Sequence, residues 1–399
     1  MNLFKKIYCR TYQGIMRIIL PFLPYREPDI LTNDDEVVAE LKDEKINRVL
    51  LVTDKSIRNL GLTKSLEKEL ADNDIELFVF DETVPNPTTR NVLDALNIYN
   101  DNCCKALIAI GGGSVIDCAK AVGAKVARPN KSLQEMKGIL KVGKKTPILF
   151  AVPTTAGTGS ETTPAAVIVD SETRHKYAIN DFPLIPDFAL LKPELTLNLP
   201  KHITSTTGMD ALCHAIEAYI GRSTTFQTRR KALSAVKDIF ENLPNAYKDG
   251  QNSEARRKML LAAYDAGVAF TKSYVGNVHA LAHALGGKYN VSHGLANAVI
   301  LPYVLKSYGK KVHKKLWQMG VYAGLFGSDV SKEKGAELFI EKIEALNKLM
   351  AIPNKIKELK AEDIDELSAI AEKEANPLYP VPVIFGKEQF AEIYKQIIE

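Results

Sequence analysis

Through the first half of the chain, short apolar runs alternate with segments whose apolar residues recur every three or four positions. The runs NRVLLVTD (47–54), IELFVF (75–80), KALIAIGGG (105–113) and TPILFAVP (146–153) are nearly unbroken and rich in Val, Ile, Leu and Phe, which predicts strands buried on both faces. Between them, 56–71, 88–101 and 114–127 carry helical periodicity. Strands separated by helices predict a parallel, doubly wound sheet, and such sheets bind ligands beyond the carboxyl ends of their strands. After Pro200 the strand-like runs stop. Amphipathic stretches follow at 203–220, 225–243, 253–271 and 332–347, so the second half is predicted to be helical. The expected fold is α/β plus all-α: a parallel-sheet domain over 1–198, with a helical extension at about 1–28, then a helical domain over 199–399. The boundary falls in LKPELTLNLPK (191–201).

Three strand ends carry polar or glycine-rich groups: Asp54, the turn Gly111-Gly112-Gly113-Ser114, and Thr154-Thr155-Ala156-Gly157-Thr158-Gly159-Ser160. GGGSVIDCAK follows a strand and opens a helix. Glycines there let the backbone approach a pyrophosphate, while N–H groups at the helix N-terminus face its charge. The turn is not G-x-G-x-x-G and follows the third strand, so a tight β–α turn alone explains the glycines equally well. Its company favours a dinucleotide: a second small-residue turn follows the next strand, and Asp54 ends the first, where a carboxylate can accept hydrogen bonds from an adenosine ribose.

The helical half carries candidate metal ligands. Asp210 and His214 lie in GMDALCHAIEAY; His279, His283 and His293 lie in NVHALAHALGGKYNVSHGLANA. Residues four apart share a helix face, so each pair, Asp210 with His214 and His279 with His283, points into one volume. Five candidates compete for about four places, and spacing leaves open whether His279 or His283 is the ligand. A lone histidine on an apolar helix face is normally a satisfied core residue; with three of the chain's seven histidines between 279 and 293, a metal site is the better reading. Asp210 also suits the first turn of a helix capped by Thr206 or Thr207.

Composition narrows the partners. Lys plus Arg number 52 against 48 Asp plus Glu, with no long basic run, which argues against nucleic acid and for a small diffusing substrate. Five cysteines without framework or C-x-x-C spacing imply reduced thiols and a cytoplasmic protein. The N-terminal MNLFKKIYCRTYQGIMRIILPFLPYREP mixes apolar residues with Lys5, Lys6, Arg10 and Arg17, a pattern open to reading as a secretion signal or a membrane-surface helix, though neither is favoured. Its uncharged stretch from Ile18 to Tyr25 contains Pro21 and Pro24, is too short to span a bilayer and lacks a small-residue cleavage site. The expectation is an added helix on the domain surface or at a subunit contact, with no membrane partner.

Six ordered blocks resemble the iron-dependent, or group III, alcohol dehydrogenases: VTDK at 52–55, VPNPT at 84–88, GGGSVIDCAK at 111–120, PTTAGTGSETTPAAVI at 153–168, TGMDALCHAIEAY at 207–219, and the block from His279 ending GLANAVILPY. The resemblance implies a Rossmann-like N-terminal domain, a helical C-terminal domain, and a cleft holding NAD(H) and one divalent metal. It implies Asp210, His214, His279 and His293 as ligands of Fe(II), with Zn(II) an alternative, and His283 beside the metal; an imidazole there, ionising near neutrality, suits a proton relay. It places Gly111, Gly112, Gly113 and Ser114 at the pyrophosphate, Asp117 nearer the nicotinamide, Thr154, Thr155 and Thr158 along the groove, and Lys176 against the cofactor. Asp54 favours NAD(H), since its charge repels the 2′-phosphate of NADP(H). The implied reaction is hydride transfer between NAD(H) and a small primary alcohol or aldehyde, by a homodimer or larger homo-oligomer. A lyase or cyclase resembling dehydroquinate synthase is the alternative; it needs a basic cluster for an anionic substrate, and only Lys288 is near. A binding protein without turnover is a third reading, opposed by the retention of every ligand position and both turns.

Overall fold

The computed structural model describes Met1 and residues 3–399. The chain divides into two compact units, one of residues 24–198 and one of residues 1–23 with 199–399. The first helix, α1 (Leu3–Ile19), belongs to the second unit.

In the unit of residues 24–198 the elements run β1 (Asp29–Leu31), α2 (Asp34–Asp43), β2 (Arg48–Val52), α3 (Lys55–Asn59), α4 (Lys64–Ala71), β3 (Glu76–Phe80), α5 (Thr89–Asp101), β4 (Ala106–Gly111), α6 (Gly113–Ala127), β5 (Gly138–Ile139), β6 (Ile148–Pro153), β7 (Ala165–Val169), β8 (Lys176–Asn180) and β9 (Phe188–Leu190). Six strands form one wholly parallel sheet in the order β1-β9-β6-β4-β2-β3. Alternate side chains serve opposite faces. Leu50, Val52, Leu107 and Ala109 enter a core with Val92, Ile116 and Val122 of α5 and α6. Val49, Leu51, Ile108 and Ile110 enter another with Val37, Leu41, Leu66 and Leu70 of α2 and α4. Burial on both faces is why these strands read as continuous apolar runs.

Counting β2, β3, β4, β6 and β9 as first to fifth, the order is 2-1-3-4-5. The chain leaves β2 on one side for β3 and returns on the other for β4, so the switch point, where open α/β sheets bind ligands, lies at the carboxyl ends of β2 and β4. There Thr53 Oγ1 donates to Ile110 O at 2.7 Å.

Besides the unpredicted short strands β1 and β9, two features depart from the sequence reading of this unit. The helix expected over 56–71 is broken into α3 and α4, and Gly61 between them has φ 70°. A second sheet, β5-β8-β7, contains an antiparallel pairing of β7 with β8; β7 (AAVIV) is itself an unbroken apolar run that the sequence analysis does not assign to a strand, whereas β8 (KYAIN) mixes polar and apolar residues.

The other unit contains α7 (Lys201–Ile220), α8 (Phe226–Lys248), α9 (Ser253–Ser273), α10 (Asn277–Tyr289), α11 (His293–Tyr308), α12 (His313–Tyr322), α13 (Lys332–Leu349), α14 (Ile364–Ala375) and α15 (Lys387–Ile397), and no strand among its described residues. Every residue of α7 from Gly208 to Ile220 is buried. The grouping of the N-terminal segment with the α/β domain is corrected by the structure, for a hydrogen-bonding reason. Arg10 Nη1 and Nη2 donate to Val381 O (2.7 Å) and Pro382 O (2.9 Å), and Gln13 Nε2 donates to Tyr379 O (2.7 Å). α1 thereby satisfies carbonyls of a segment outside any helix or strand.

Between α6 and β7, buried polar groups fix the turn after β6. Lys120 Nζ donates to Ser160 O (2.6 Å), Thr163 Oγ1 (2.8 Å) and Ala165 O (3.0 Å). Burial pushes Lys120 down to about 8 and Glu161 up to about 7. A carboxyl that holds its proton more tightly when folded favours the folded state below its ordinary value of 4.5, and that advantage disappears as pH rises to about 7. The loss is on the order of 3 kcal/mol. Urea unfolding of Glu161→Gln should therefore show a flatter decline in stability between pH 4.5 and 7 than the parent; an equal slope would exclude Glu161 as the group responsible.

Candidate functional site

Three helices of the second unit supply the metal candidates. α7 presents Asp210 and His214, α10 presents His279, and α11 opens with His293. One donor atom from each of these four residues lies within 4.8 Å of the others. Asp210, His214 and His279 are buried, whereas the His293 side chain is 38% exposed and gives the cluster its contact with solvent. Phe270 stacks on His214 with ring centres 4.2 Å apart, and His214 stacks on His279 at 4.5 Å. Gly294 lets α11 start against α7, since a Cβ there would lie 2.3 Å from Thr206 O. Asp210 does not occupy a first turn: α7 begins at Lys201, and the Thr206 and Thr207 hydroxyls donate back to His202 O and Ile203 O instead of capping.

Donor chemistry tests whether a cation fits. Asn297, one turn after His293, holds its Nδ2 2.7 Å from Asp210 Oδ1, 3.1 Å from His293 Nε2 and 3.2 Å from His279 Nε2, while its buried Oδ1 has no hydrogen-bond partner. An amide has two N–H groups for these three acceptors. Acceptor atoms converging in this way, all nitrogen or oxygen, suit a divalent cation.

Glu217 sets the orientation of His279. Its carboxylate accepts from Gly276 N (2.7 Å) and Val278 N (2.8 Å), and its Oε2 lies 2.6 Å from His279 Nδ1. With Nδ1 donating to the carboxylate, Nε2 is the ring nitrogen left as a ligand. Burial, reinforced by His214, His293 and His283, holds His279 well below the ordinary histidine range, so it is neutral as ligation requires. Burial also pushes Glu217 up to about 7, against the pull of the backbone donors. Gly276 makes room, because a Cβ there would sit 2.6 Å from Glu217 Oε1.

His283 stands outside the four-residue group. Its ring lies 5.8 Å from that of His279 and 5.1 Å from that of His293. Its Nδ1 is 2.6 Å from Glu374 Oε1, which also accepts from Tyr379 Oη at 2.6 Å. Burial raises the Glu374 carboxyl, but His283 and these hydrogen bonds together leave it below the usual range.

At the switch point of the other unit the three glycines serve different ends. A Cβ on Gly111 would meet Val115 at 2.5 Å and one on Gly113 would meet Thr158 at 3.2 Å, whereas Gly112 has nothing nearer than Thr155 Oγ1 at 3.8 Å. Gly111 thus allows α6 to pack on β4, and Gly112 leaves space beside a helix N-terminus, as a phosphate cradle needs. Thr154 N donates to Gly111 O at 3.0 Å, joining the two turns. Ser114 Oγ accepts from Asn86 N (3.3 Å), and Lys176 Nζ donates to Asn86 Oδ1 (2.6 Å). Asp54 caps α3 by accepting from Ile57 N through Oδ1 (2.9 Å). Asp117 is engaged by the protein: Oδ1 accepts from Ser160 Oγ (2.8 Å) and Oδ2 from Val167 N (3.1 Å).

Sequence reasoning missed Glu217, Asn297, Glu374 and Asn86. Two had a signal: Glu217 is three residues beyond His214 on the same face of α7, and Asn297 is four beyond His293. Glu374 is 91 residues from His283 and had none.

Comparison with known proteins identifies the scaffold. Residues 31–193 match the family described as iron-containing alcohol dehydrogenase, and residues 204–398 match the C-terminal part of the Fe-containing alcohol dehydrogenase family. The chain is 37% identical over 369 residues to alcohol dehydrogenase 4 of Saccharomyces cerevisiae, covering 92% of this chain and 94% of that one. It is 37% identical over 338 residues to the NAD-dependent methanol dehydrogenase of Bacillus methanolicus, covering 84% and 88%. The crystal structure of a 1,3-propanediol oxidoreductase superposes with a TM-score of 0.90 at 32% identity, covering 94% and 99%. With family matches in both structural units and relatives aligned over most of their length, the chain belongs to the iron-containing alcohol dehydrogenase family.

Proposed function

We infer that this enzyme transfers hydride between NAD(H) and a small primary alcohol or its aldehyde, at one divalent metal held by Asp210, His214, His279 and His293. The convergence of four donor atoms within 4.8 Å, in a member of this family, carries the reading. Iron is the metal the family is named for, and an all-N/O donor set also suits zinc. The bound cation supplies a Lewis acid for the alcohol or carbonyl oxygen, and the nicotinamide supplies the hydride acceptor or donor.

The chain's own groups do the rest. Glu217 fixes the His279 ring. His283, with Nδ1 engaged by Glu374, moves the alcohol proton at Nε2, and Tyr379 holds Glu374 in place. N–H groups of Gly112, Gly113 and Ser114 at the start of α6 bind the pyrophosphate, beside Gly111. Thr154, Thr155 and Thr158 line the groove, Lys176 contacts the cofactor, and Asp117 holds the second turn in register. Asp54 meets the adenosine ribose and selects NAD(H) over NADP(H); the Bacillus methanolicus relative is named as NAD-dependent. The enzyme acts in the cytoplasm as a homo-oligomer, a reading that rests on family resemblance and on five free thiols. The lyase reading loses its one basic residue, because Lys288 is paired with Asp363 at 2.7 Å and with Glu366.

Anaerobic NADH oxidation by iron-loaded protein should proceed with a short aldehyde, be slower with NADPH, and vanish in Asp210→Ala. In the same assay His283→Ala should lose about a hundredfold in rate. Failure with every aldehyde despite bound metal and NADH would reject the dehydrogenase reading, and an undiminished His283→Ala would reject the relay. Glu217→Gln should weaken Fe(II) or Co(II) binding by about 10- to 100-fold in a direct titration; unchanged affinity would remove Glu217 from the site's support.

A further inference from the structure

The first helix is patterned inside out. Cys9 and Gln13 of α1 are buried and Arg10 is bonded to the 381–382 carbonyls, so that side is docked on the helical unit. Leu3, Phe4, Ile7, Tyr8, Ile15 and Ile18 share the other side by their spacing of three, four and eleven residues, and are 53–83% exposed. Phe22, just past the helix, is 84% exposed. Water-facing positions on a docked helix normally carry charge, and a contiguous apolar face marks a surface that something covers.

Charge decides what covers it. From Leu3 to Phe22 the chain has Lys5, Lys6, Arg10 and Arg17 and no Asp or Glu. A second copy would set these cations against their own kind, whereas an anionic lipid surface complements them. A basic helix with an apolar face and little net hydrophobicity is the pattern of one lying in the plane of a membrane interface. No described helix is long and apolar enough to cross a membrane. Both family matches lie beyond residue 30, so α1 stands outside the parts that carry the family's chemistry.

We propose that α1 docks this dehydrogenase on an anionic bilayer surface, with its exposed apolar side at the boundary of headgroups and acyl chains. This replaces the sequence-based expectation of no membrane partner. The test is flotation of the full-length protein with vesicles of phosphatidylcholine containing phosphatidylglycerol, against phosphatidylcholine alone. Binding should require the anionic lipid, weaken with added salt, and fall by about tenfold or more in both Ile7→Asp/Ile18→Asp and Lys6→Glu/Arg17→Glu. These four side chains are exposed and none is a proposed ligand or relay residue, so NADH-linked activity and circular dichroism should be unchanged. Absence of flotation, or equal flotation with neutral vesicles, overturns the proposal. If the protein does not float and Ile7→Asp/Ile18→Asp lowers its mass in light scattering, a second copy covers the face and the proposal is likewise overturned.

Discussion

Three donors close on one buried carboxylate, Glu217: the N–H groups of Gly276 and Val278 and the ring of His279. An ionised carboxylate in a dry interior is costly unless its oxygens are hydrogen-bonded, so this contact is either complete or strongly destabilising. Its partners start α10, while Glu217 lies on the face of α7 that carries Asp210 and His214. One interaction therefore sets where α10 begins, which ring nitrogen of His279 is left for a metal, and how close that nitrogen comes to the two groups on α7. α11 is placed by a different constraint, the close approach that Gly294 permits beside Thr206. His293 and Asn297 follow from it, one turn apart.

The α/β unit uses buried polarity in a similar way. Asp117 and Lys120, three residues apart on α6, bind the turn after β6 through Ser160, Thr163 and the β7 backbone. That turn is joined to the glycine turn by Thr154 N and Gly111 O. The cradle beside Gly112 is thus bordered by loops whose positions are set from behind by buried groups. Asp117 holds this turn with both its oxygens, which accept from Ser160 Oγ and Val167 N.

Legibility in the sequence followed physical cause. β2, β4 and β6 were readable because parallel strands in the middle of a covered sheet are apolar without interruption, and β3, at the sheet's edge and only part-buried, still carries the apolar run LFVF. β1 and β9, three residues each, are too short to establish a period, and β8 (KYAIN) looks like ordinary mixed sequence, whereas β7 (AAVIV) carried an apolar signal as plain as that of the sheet strands. The metal candidates were readable because helix geometry turns a four-residue spacing into a shared face. Glu217 obeyed the same geometry, yet a lone glutamate in an amphipathic stretch reads as solvated. The pairing of Glu374 with His283 and the partners of α1 depend on contacts between distant segments, and no local pattern announces them. The apolar side of α1 was visible in composition; only the structure showed that this side is turned outward.

The most direct measurement is the X-ray absorption spectrum of the iron-loaded protein at the iron edge. Asp210, His214, His279 and His293 as ligands predict a nitrogen and oxygen shell at about 2.0–2.2 Å, with imidazole scattering and no sulfur. Cys213, Glu217 and His279 form the one other close grouping of candidate donors among the described residues. A sulfur shell at about 2.3 Å would place the metal on Cys213 and contradict the four-residue site.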